Sequence, residues 1–475
     1  MAYRYGERSQ LDFFPPTIEE YVASDDPVRA YDAFVNNLDF DELGIILDHN
    51  KTGNPQYDPK AMLKLFLYGT SYGFRSARKL ERAIYHNISF IWLTGGLKPD
   101  YKTISEFRRN NKSALKGIIK QCARMCIKLN LIDGNTFFVD GTKIRGNASI
   151  KNTWTAKKCD KYIKSIDKRI NAILDECETT DNEEQNQQSL VKMDKELKDQ
   201  KVLKTKVESI LKELKENEKK SINTVDPECT RINSVQGSNA GYNAQTVVDE
   251  KHGLIVNTDV VSENNDVNQF ANQINQANET TGKKCKTACA DSGYANTDEL
   301  KKIDDQKTKV IVPTQKQASK KEPKEFDKEH FKYDAANDSY ICPEGHRLMF
   351  KEVRKNKNAR KYKIKKSSTC HHCRYFGKCT TSKNGRSIMR LNNEEVKIKL
   401  EAQYKEPESQ KIYKLRQQKA EPPFGHIKRN LGVTSFLLRG IKGTNAEMAI
   451  MATCYNLVRI TNIMGIPEFI EQIKA

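Results

Sequence analysis

Up to about residue 128, apolar positions recur every three or four residues, which predicts a series of short helices. Asp25-Asp26-Pro27 reads as a helix start, with Asp26 as the cap and Pro27 in the first turn. Lys60–Tyr72 carries Leu63, Phe66 and Leu67 on one face, and Ser76–Tyr85 carries Ala77, Leu80, Ala83 and Ile84. Asp100-Tyr101-Lys102-Thr103 precedes a basic helix over Ile104–Arg109, and Thr103 and Glu106 stand at capping-box spacing. Ile118, Cys122, Met125 and Cys126 continue the helical period.

At Phe137 the period changes, and Thr136–Arg145 reads as a strand. A charged insertion follows, from Cys159 to about Thr224. Ile163, Ile166, Ile170 and Ile173 in its first half, and Leu203, Val207, Ile210 and Leu214 in its second, predict an antiparallel helical hairpin, with the polar stretch Thr179–Gln188 between them. Tyr242–Val248 and Leu254–Val261 form a predicted β-hairpin around His252-Gly253. Helix Val267–Ala277, strand Lys286–Ala290, helix Thr297–Ile303 and strand Lys309–Val312 come next. Pro313 to about Lys399 is Lys-rich, irregular and cysteine-bearing. Glu408–Lys419 reads as a polar helix, and the chain closes on an apolar helix near Asn445–Ile463.

The length, 475 residues, allows two to four domains, and the net charge of +19 favours a polyanionic partner, nucleic acid first. A membrane partner is not expected. Met1–Gln10 is polar, and the most apolar stretch, Met448–Ile466, is interrupted by Asn456, Arg459 and Asn462, so it reads as a buried helix. With no secretory segment in view, the expected place is the cytoplasm of a bacterium, at its nucleoid. The twelve cysteines then read as metal ligands or core residues rather than a disulfide scaffold. In the first 128 residues Arg75, Arg78, Arg108 and Arg109 are candidate DNA contacts of a helix-turn-helix type reader; an ordinary helical domain with solvated basic faces is the even alternative.

The strand order, three early strands and then alternating helices and strands, suggests a ribonuclease H-like α/β core. Asp140 closes Phe137-Phe138-Val139, Asp291 closes Ala288-Cys289-Ala290, and a glycine follows each within two residues. Each could be an ordinary turn aspartate. Taken with Tyr413, Arg416, Glu421 and Lys428 late in the chain, they are less ordinary. The segments Phe138-Val-Asp-Gly-Thr-Lys-Ile-Arg145, Gly241-Tyr-Asn-Ala-Gln-Thr246, Ala290-Asp-Ser-Gly-Tyr294 and Glu421-Pro-Pro-Phe-Gly-His-Ile-Lys428 resemble the DDE transposases of bacterial insertion sequences. The resemblance runs through nearly the whole chain. One departure is the spacing of Arg416 and Glu421, which have four residues between them where the family's usual form has three.

The resemblance implies metal-dependent DNA cleavage and strand transfer, with Asp140, Asp291 and Glu421 as catalytic ligands of two Mg²⁺ (or Mn²⁺) ions about 4 Å apart. It implies DNA contacts at Tyr413, Arg416 and Lys428. Lys143 and Arg145 follow Asp140 and are candidate backbone contacts, with solvated charge the equal alternative. The implied partners are the element's terminal inverted repeats and target DNA, bound by a homodimer. The expected organisation is a helical DNA-binding domain over 1–128 and a ribonuclease H-like catalytic domain over 129–475. The latter is interrupted by the helical hairpin at 155–224 and a Lys/Cys-rich insertion at 315–400. Because Pro422 disfavours a helical Glu421, a helix break is expected there, with Glu421 opening the next helix.

Cys370 and Cys373 form a CxxC pair that suits one zinc ion; Cys342 and Cys379 complete a tetrahedral set, with His346, His371 or His372 as substitutes. The surrounding Lys-rich stretch has little apolar material, so a structural zinc is preferred to unrelated free thiols. Three other readings remain: a nuclease that cuts without joining, an inactive or domesticated transposase-derived DNA-binding protein, and a structural zinc protein with a helical arm. The last leaves the strand-end aspartates unexplained.

Overall fold

A computed structural model describes residues 17–45, 56–181, 187–216, 221–234, 237–319, 324–354 and 358–474. The polar start Met1–Gln10 and the middle of Thr179–Gln188 lie outside them. The chain divides into two compact units: 1–266, 273–284 and 417–475 form the first, and 267–272 with 285–416 the second. The expected boundary at residue 128 is not where the division falls, because the N-terminal helices share a core with later elements.

The first unit opens with α1 (Pro27–Asn36), α2 (Pro59–Ser71), α3 (Ala77–His86), α4 (Ile88–Leu93), α5 (Tyr101–Asn110) and α6 (Lys112–Lys128). Asp26 caps α1, its carboxylate accepting from Val28 N. Helix α5 starts earlier than expected: Asp100 is its cap, accepting from Thr103 N at 2.7 Å, so Thr103 lies inside the helix.

Strand β1 (Thr136–Arg145) follows, and the two-residue strands β2 (Thr153–Trp154) and β3 (Ile222–Asn223) pair across the base of the helical hairpin α7 (Ala156–Asp181) and α8 (Gln187–Glu216). Cys159, Ile166, Val207, Ile210, Leu214 and Ile222 form the hairpin's own core. Three more strands, β4 (Thr230–Ser234), β5 (Gly237–Asp249) and β6 (Ile255–Val261), complete the sheet of this unit. All pair antiparallel to β5, β1 along one edge and β4 and β6 along the other. Gly241 is bracketed by Arg145 and Thr230; a Cβ there would stand 2.4 Å from the Ile144 carbonyl, so only glycine fits. Helix α9 (Phe270–Thr281) comes next.

In the second unit, β7 (Thr287–Cys289) and β8 (Lys309–Ile311) run parallel, joined through α10 (Thr297–Asp304). After α11 (Gln315–Ala318) the chain was expected to be irregular. It forms an antiparallel meander instead, of β9 (Lys332–Asp334), β10 (Ser339–Ile341), β11 (Arg347–Arg354) and β12 (Ala359–Ile364). The short helix α12 (Ser367–His371) intervenes before β13 (Ser387–Leu391) adds the fifth strand. Its core is small: Phe331, Tyr340, Leu348, Tyr362 and Ile388. Helix α13 (Glu394–Lys405) follows.

Helix α14 (Pro407–Arg429) is continuous through Pro422 and Pro423, so the expected break before Glu421 is absent. Two prolines withdraw two N–H donors from the ladder, a cost of about 3 kcal/mol each. The packed face offsets it: Ala420, Phe424 and Ile427 are buried at i, i+4 and i+7. Helices α15 (Gly440–Met464) and α16 (Ile466–Lys474) end the chain. Helix α15 packs on α6, α2 and β6. Two of its asparagines, Asn445 and Asn456, bind the outer edge of β6. Asn456 receives Ile255 N and donates to Ile255 O, both at 2.8 Å, and Asn445 does the same for Val260 at 3.0 and 3.1 Å. Among the described residues no helix is long and apolar enough to cross a membrane.

Replacing Asn456 by Ala leaves two buried backbone groups of β6 unpaired. The expected loss is about 2–3 kcal/mol of folding free energy, read from urea denaturation. A loss under roughly 1 kcal/mol would show that the edge does not depend on this amide.

Candidate active site

In the first unit the apolar run Phe137-Phe138-Val139 is wholly buried, and the strand emerges at the half-buried Asp140. Alternation along β1 puts Asp140 and Thr142 on one face and Lys143 and Arg145 on the other. Helix α14 brings Lys428 to the Asp140 face: its Nζ donates to Thr142 Oγ1 at 2.5 Å. Partial burial lowers the Lys428 ammonium below its ordinary range, and the nearby Asp140 carboxylate opposes that shift. Glu421 and Lys428, seven residues apart on the continuous helix, are both exposed. Opposite Asp140 in the register stands Thr246, and opposite that Thr258; both hydroxyls are buried and have no hydrogen-bond partner. Sequence reasoning passed over Thr142. The two-residue period of β1 was the signal, because it pairs Asp140 with Thr142 rather than with Lys143.

The conspicuous polar residues of β5 serve the sheet. Asn243 Nδ2 and Gln245 Nε2 both donate to Asp266 Oδ1, at 2.8 and 2.6 Å, and Tyr242 Oη donates to Asp226 at 2.7 Å.

In the second unit Asp291 follows β7 in extended conformation and caps the single turn Ser292–Tyr294, accepting from Gly293 N at 2.8 Å. Tyr413 and Arg416 of α14 stand near it. Burial raises the Tyr413 hydroxyl, Arg416 lowers it, and Asp291 adds to the rise. The Arg416 guanidinium lies 5.8 Å from the Tyr413 ring centre.

The four arginines expected at a DNA face separate. Arg75 is turned inward, its side chain 11% exposed, bonded to Glu447 at 2.5 Å and to the Ser435 carbonyl at 2.7 Å. Arg108 donates to the Arg75 carbonyl at 3.1 Å, and burial lowers its guanidinium first of all. Arg78 lies over the Tyr101 ring, 5.1 Å from its centre. Arg109 is 69% exposed and paired with Glu106 on its own helix. An open groove of about 670 Å³ runs beside α5, lined by Lys102, Arg109, Lys112 and Arg439.

The grouped cysteines do converge. Cys342, Cys370, Cys373 and Cys379 line one cavity of the second unit together with His346. Burial raises the Cys379 thiol, and the three other thiols push the same way. Among the described residues, no three His, Cys, Asp or Glu side chains are drawn tightly enough to hold a metal ion as they stand.

A family model described as a transposase DDE domain matches residues 341–461, and one described as a transposase domain (DUF772) matches residues 16–110. Both matches support an insertion-sequence DDE transposase, from a family of DNA-cleaving, strand-transferring enzymes. Of the three carboxylates, Glu421 lies within the matched stretches. No curated protein matches the chain. A solved structure of a piggyBac transposase synaptic complex with hairpin DNA aligns over 95% of this chain and 79% of that one, at 10% identity and a TM-score of 0.35. So low a score carries no argument about this chain.

Arg75→Met is expected to cost about 3 kcal/mol, because it leaves Glu447 as a buried charge without its partner. Arg109→Ala is expected to stay within about 0.5 kcal/mol of wild type, as exposed pairs contribute little. Urea midpoints compare the two, and equal losses would refute the inward role of Arg75.

Proposed function

We propose that this chain cuts the ends of an insertion sequence and transfers them to target DNA, with Asp140, Asp291 and Glu421 as the catalytic carboxylates of a ribonuclease H-like core. The observation that carries the reading is the meeting of Asp140, Thr142 and the Lys428 ammonium on one face of β1. A carboxylate alone repels a phosphodiester. An ammonium beside it attracts one.

The three carboxylates offer oxygen alone, the donor set of a hard divalent cation such as Mg²⁺ or Mn²⁺, rather than the nitrogen and sulfur that zinc prefers. The unpartnered hydroxyl of Thr246, directly across the register from Asp140, is a further oxygen beside it. When bound, such ions supply Lewis acidity to the attacking and leaving oxygens of an in-line displacement. Lys428 and Thr142 position the phosphate, and Tyr413 and Arg416, close to Asp291, orient a DNA end. Lys143 and Arg145, on the opposite face of β1, are assigned to neighbouring backbone contacts only.

Away from the carboxylates, the groove lined by Lys102, Arg109, Lys112 and Arg439 suits the phosphate backbone of duplex DNA. Arg78 borders the same helix through Tyr101. Two DNA ends need two sets of carboxylates, which favours a homodimer at work on the nucleoid.

The test uses DNA carrying the element's own ends. Wild-type protein is expected to nick it with Mg²⁺ and not with EDTA. Asp140→Asn, Asp291→Ala and Glu421→Gln should each lose more than the roughly 10–100-fold that removal of a supporting residue costs. Tight end binding without cutting in any of the four proteins would favour a DNA-binding regulator and sink the catalytic assignment.

A further inference from the structure

We infer that Cys342, Cys370, Cys373 and Cys379 hold a structural zinc ion that orders the meander of the second unit. The described cysteines fall into two groups. Cys122, Cys126, Cys159, Cys229, Cys285, Cys289 and Cys454 are buried among apolar neighbours, whereas these four are half-buried and unbridged. They line one cavity together with His346.

The chain around the cavity has little else to hold it. Between Ile364 and Ile388, only Gly385 is buried, and α12 buries no side chain. Apolar burial cannot offset the cost of ordering such a stretch, and a metal clip can. Local turns already present the sulfurs. In Cys342-Pro-Glu-Gly-His346, Gly345 takes φ +78° and donates to the Cys342 carbonyl at 2.9 Å, while Cys342 N donates to the His346 carbonyl. The second turn closes by Cys373 N donating to the Cys370 carbonyl at 3.2 Å. Arg374 binds Glu344 at 3.0 Å, tying the two turns together.

Two sulfurs accept backbone N–H groups, Cys342 from His346 at 3.3 Å and Cys370 from Arg386 at 3.4 Å. Donors of this kind orient a sulfur for a metal. Four thiolates on Zn²⁺ leave a net charge of −2, and Arg386 at the cavity wall offsets part of it. His371 and His372 are less suited. Both are exposed, and a ring nitrogen of each is bonded to a carbonyl, of Lys383 and Ser368. Binding draws the sulfurs to about 2.3 Å from the ion.

The inference stands apart from DNA cleavage, so its readout is metal content. Full-length chain, purified under reducing conditions without a histidine tag, is expected to carry one zinc per chain by mass spectrometry of the metal. A mercurial reagent should release that zinc in step with the titration of four thiols. Co²⁺ in its place should show the sulfur charge-transfer and visible bands of a tetrahedral thiolate site. The Cys370→Ser, Cys373→Ser double variant should lose the zinc. If that variant is insoluble, the mercurial and Co²⁺ results on wild type decide alone. Protein with no zinc and no Co²⁺ thiolate bands, a disulfide among the four, or zinc that survives the double substitution would each overturn the assignment.

Discussion

The first unit depends on how α15 meets the edge of β6. An edge strand exposes a row of unpaired backbone groups, and a buried edge cannot leave them unsatisfied. Asn445 and Asn456 solve this by acting as two peptide groups on a helix, each accepting one N–H and donating to one C=O of the strand. The spacing makes it possible. Eleven residues of helix rise about 16.5 Å. The five residue steps from Ile255 to Val260 span about 17 Å of strand. The two elements therefore stay in step, running in opposite senses, and the sheet that carries Asp140 is held at a fixed distance from the N-terminal helices.

That arrangement explains why the helical N-terminal region is not a separate body. Helix α15 buries nearly every residue from Gly443 to Leu457, against α2 and α6 as well as β6. Its Glu447 takes Arg75 from the loop before α3 and also accepts Leu437 N and Leu438 N. An arginine that reads as a surface cation in the chain is thus part of the internal frame. Nothing in the local sequence distinguishes Arg75 from Arg109, because the difference lies in a glutamate 372 residues away.

Strong local signals were legible. The run Phe137-Phe138-Val139 marks β1, whose bounds match the reading at both ends, and the Ile and Leu repeats mark the hairpin of α7 and α8. Asp26-Pro27 marks the start of α1. The meander β9–β13 was not legible, for a physical reason: its strands are rich in Lys and Arg and bury little, one residue of eight in β11 and three of six in β12. A strand that buries so little looks like loop, and its order comes from cross-strand tyrosines and, on the inference above, from a metal. Asp291 and the grouped cysteines were read from turn and spacing chemistry, which survives without a core. Their roles rest on chemistry that the fold alone does not supply.

Helix α14 shows the opposite failure, where a valid local rule loses to packing. Proline inside a helix removes a donor and crowds the preceding turn, so Pro422-Pro423 argues for a break. Buried Ala420, Phe424 and Ile427 hold the helix whole across it. The outcome matters for chemistry. With a break, Glu421 would sit at a helix N-terminus, where the dipole favours its charge, and Lys428 would lie on a helix of unrelated direction. On one continuous helix the two are fixed two turns apart on the exposed face, and the Lys428 ammonium is delivered to Thr142. Glu421 and Lys428 therefore share one rigid helix face. The missing N–H groups of the two prolines lie on that helix beside Glu421, so the apolar stripe beneath is what keeps the acid and the ammonium in register.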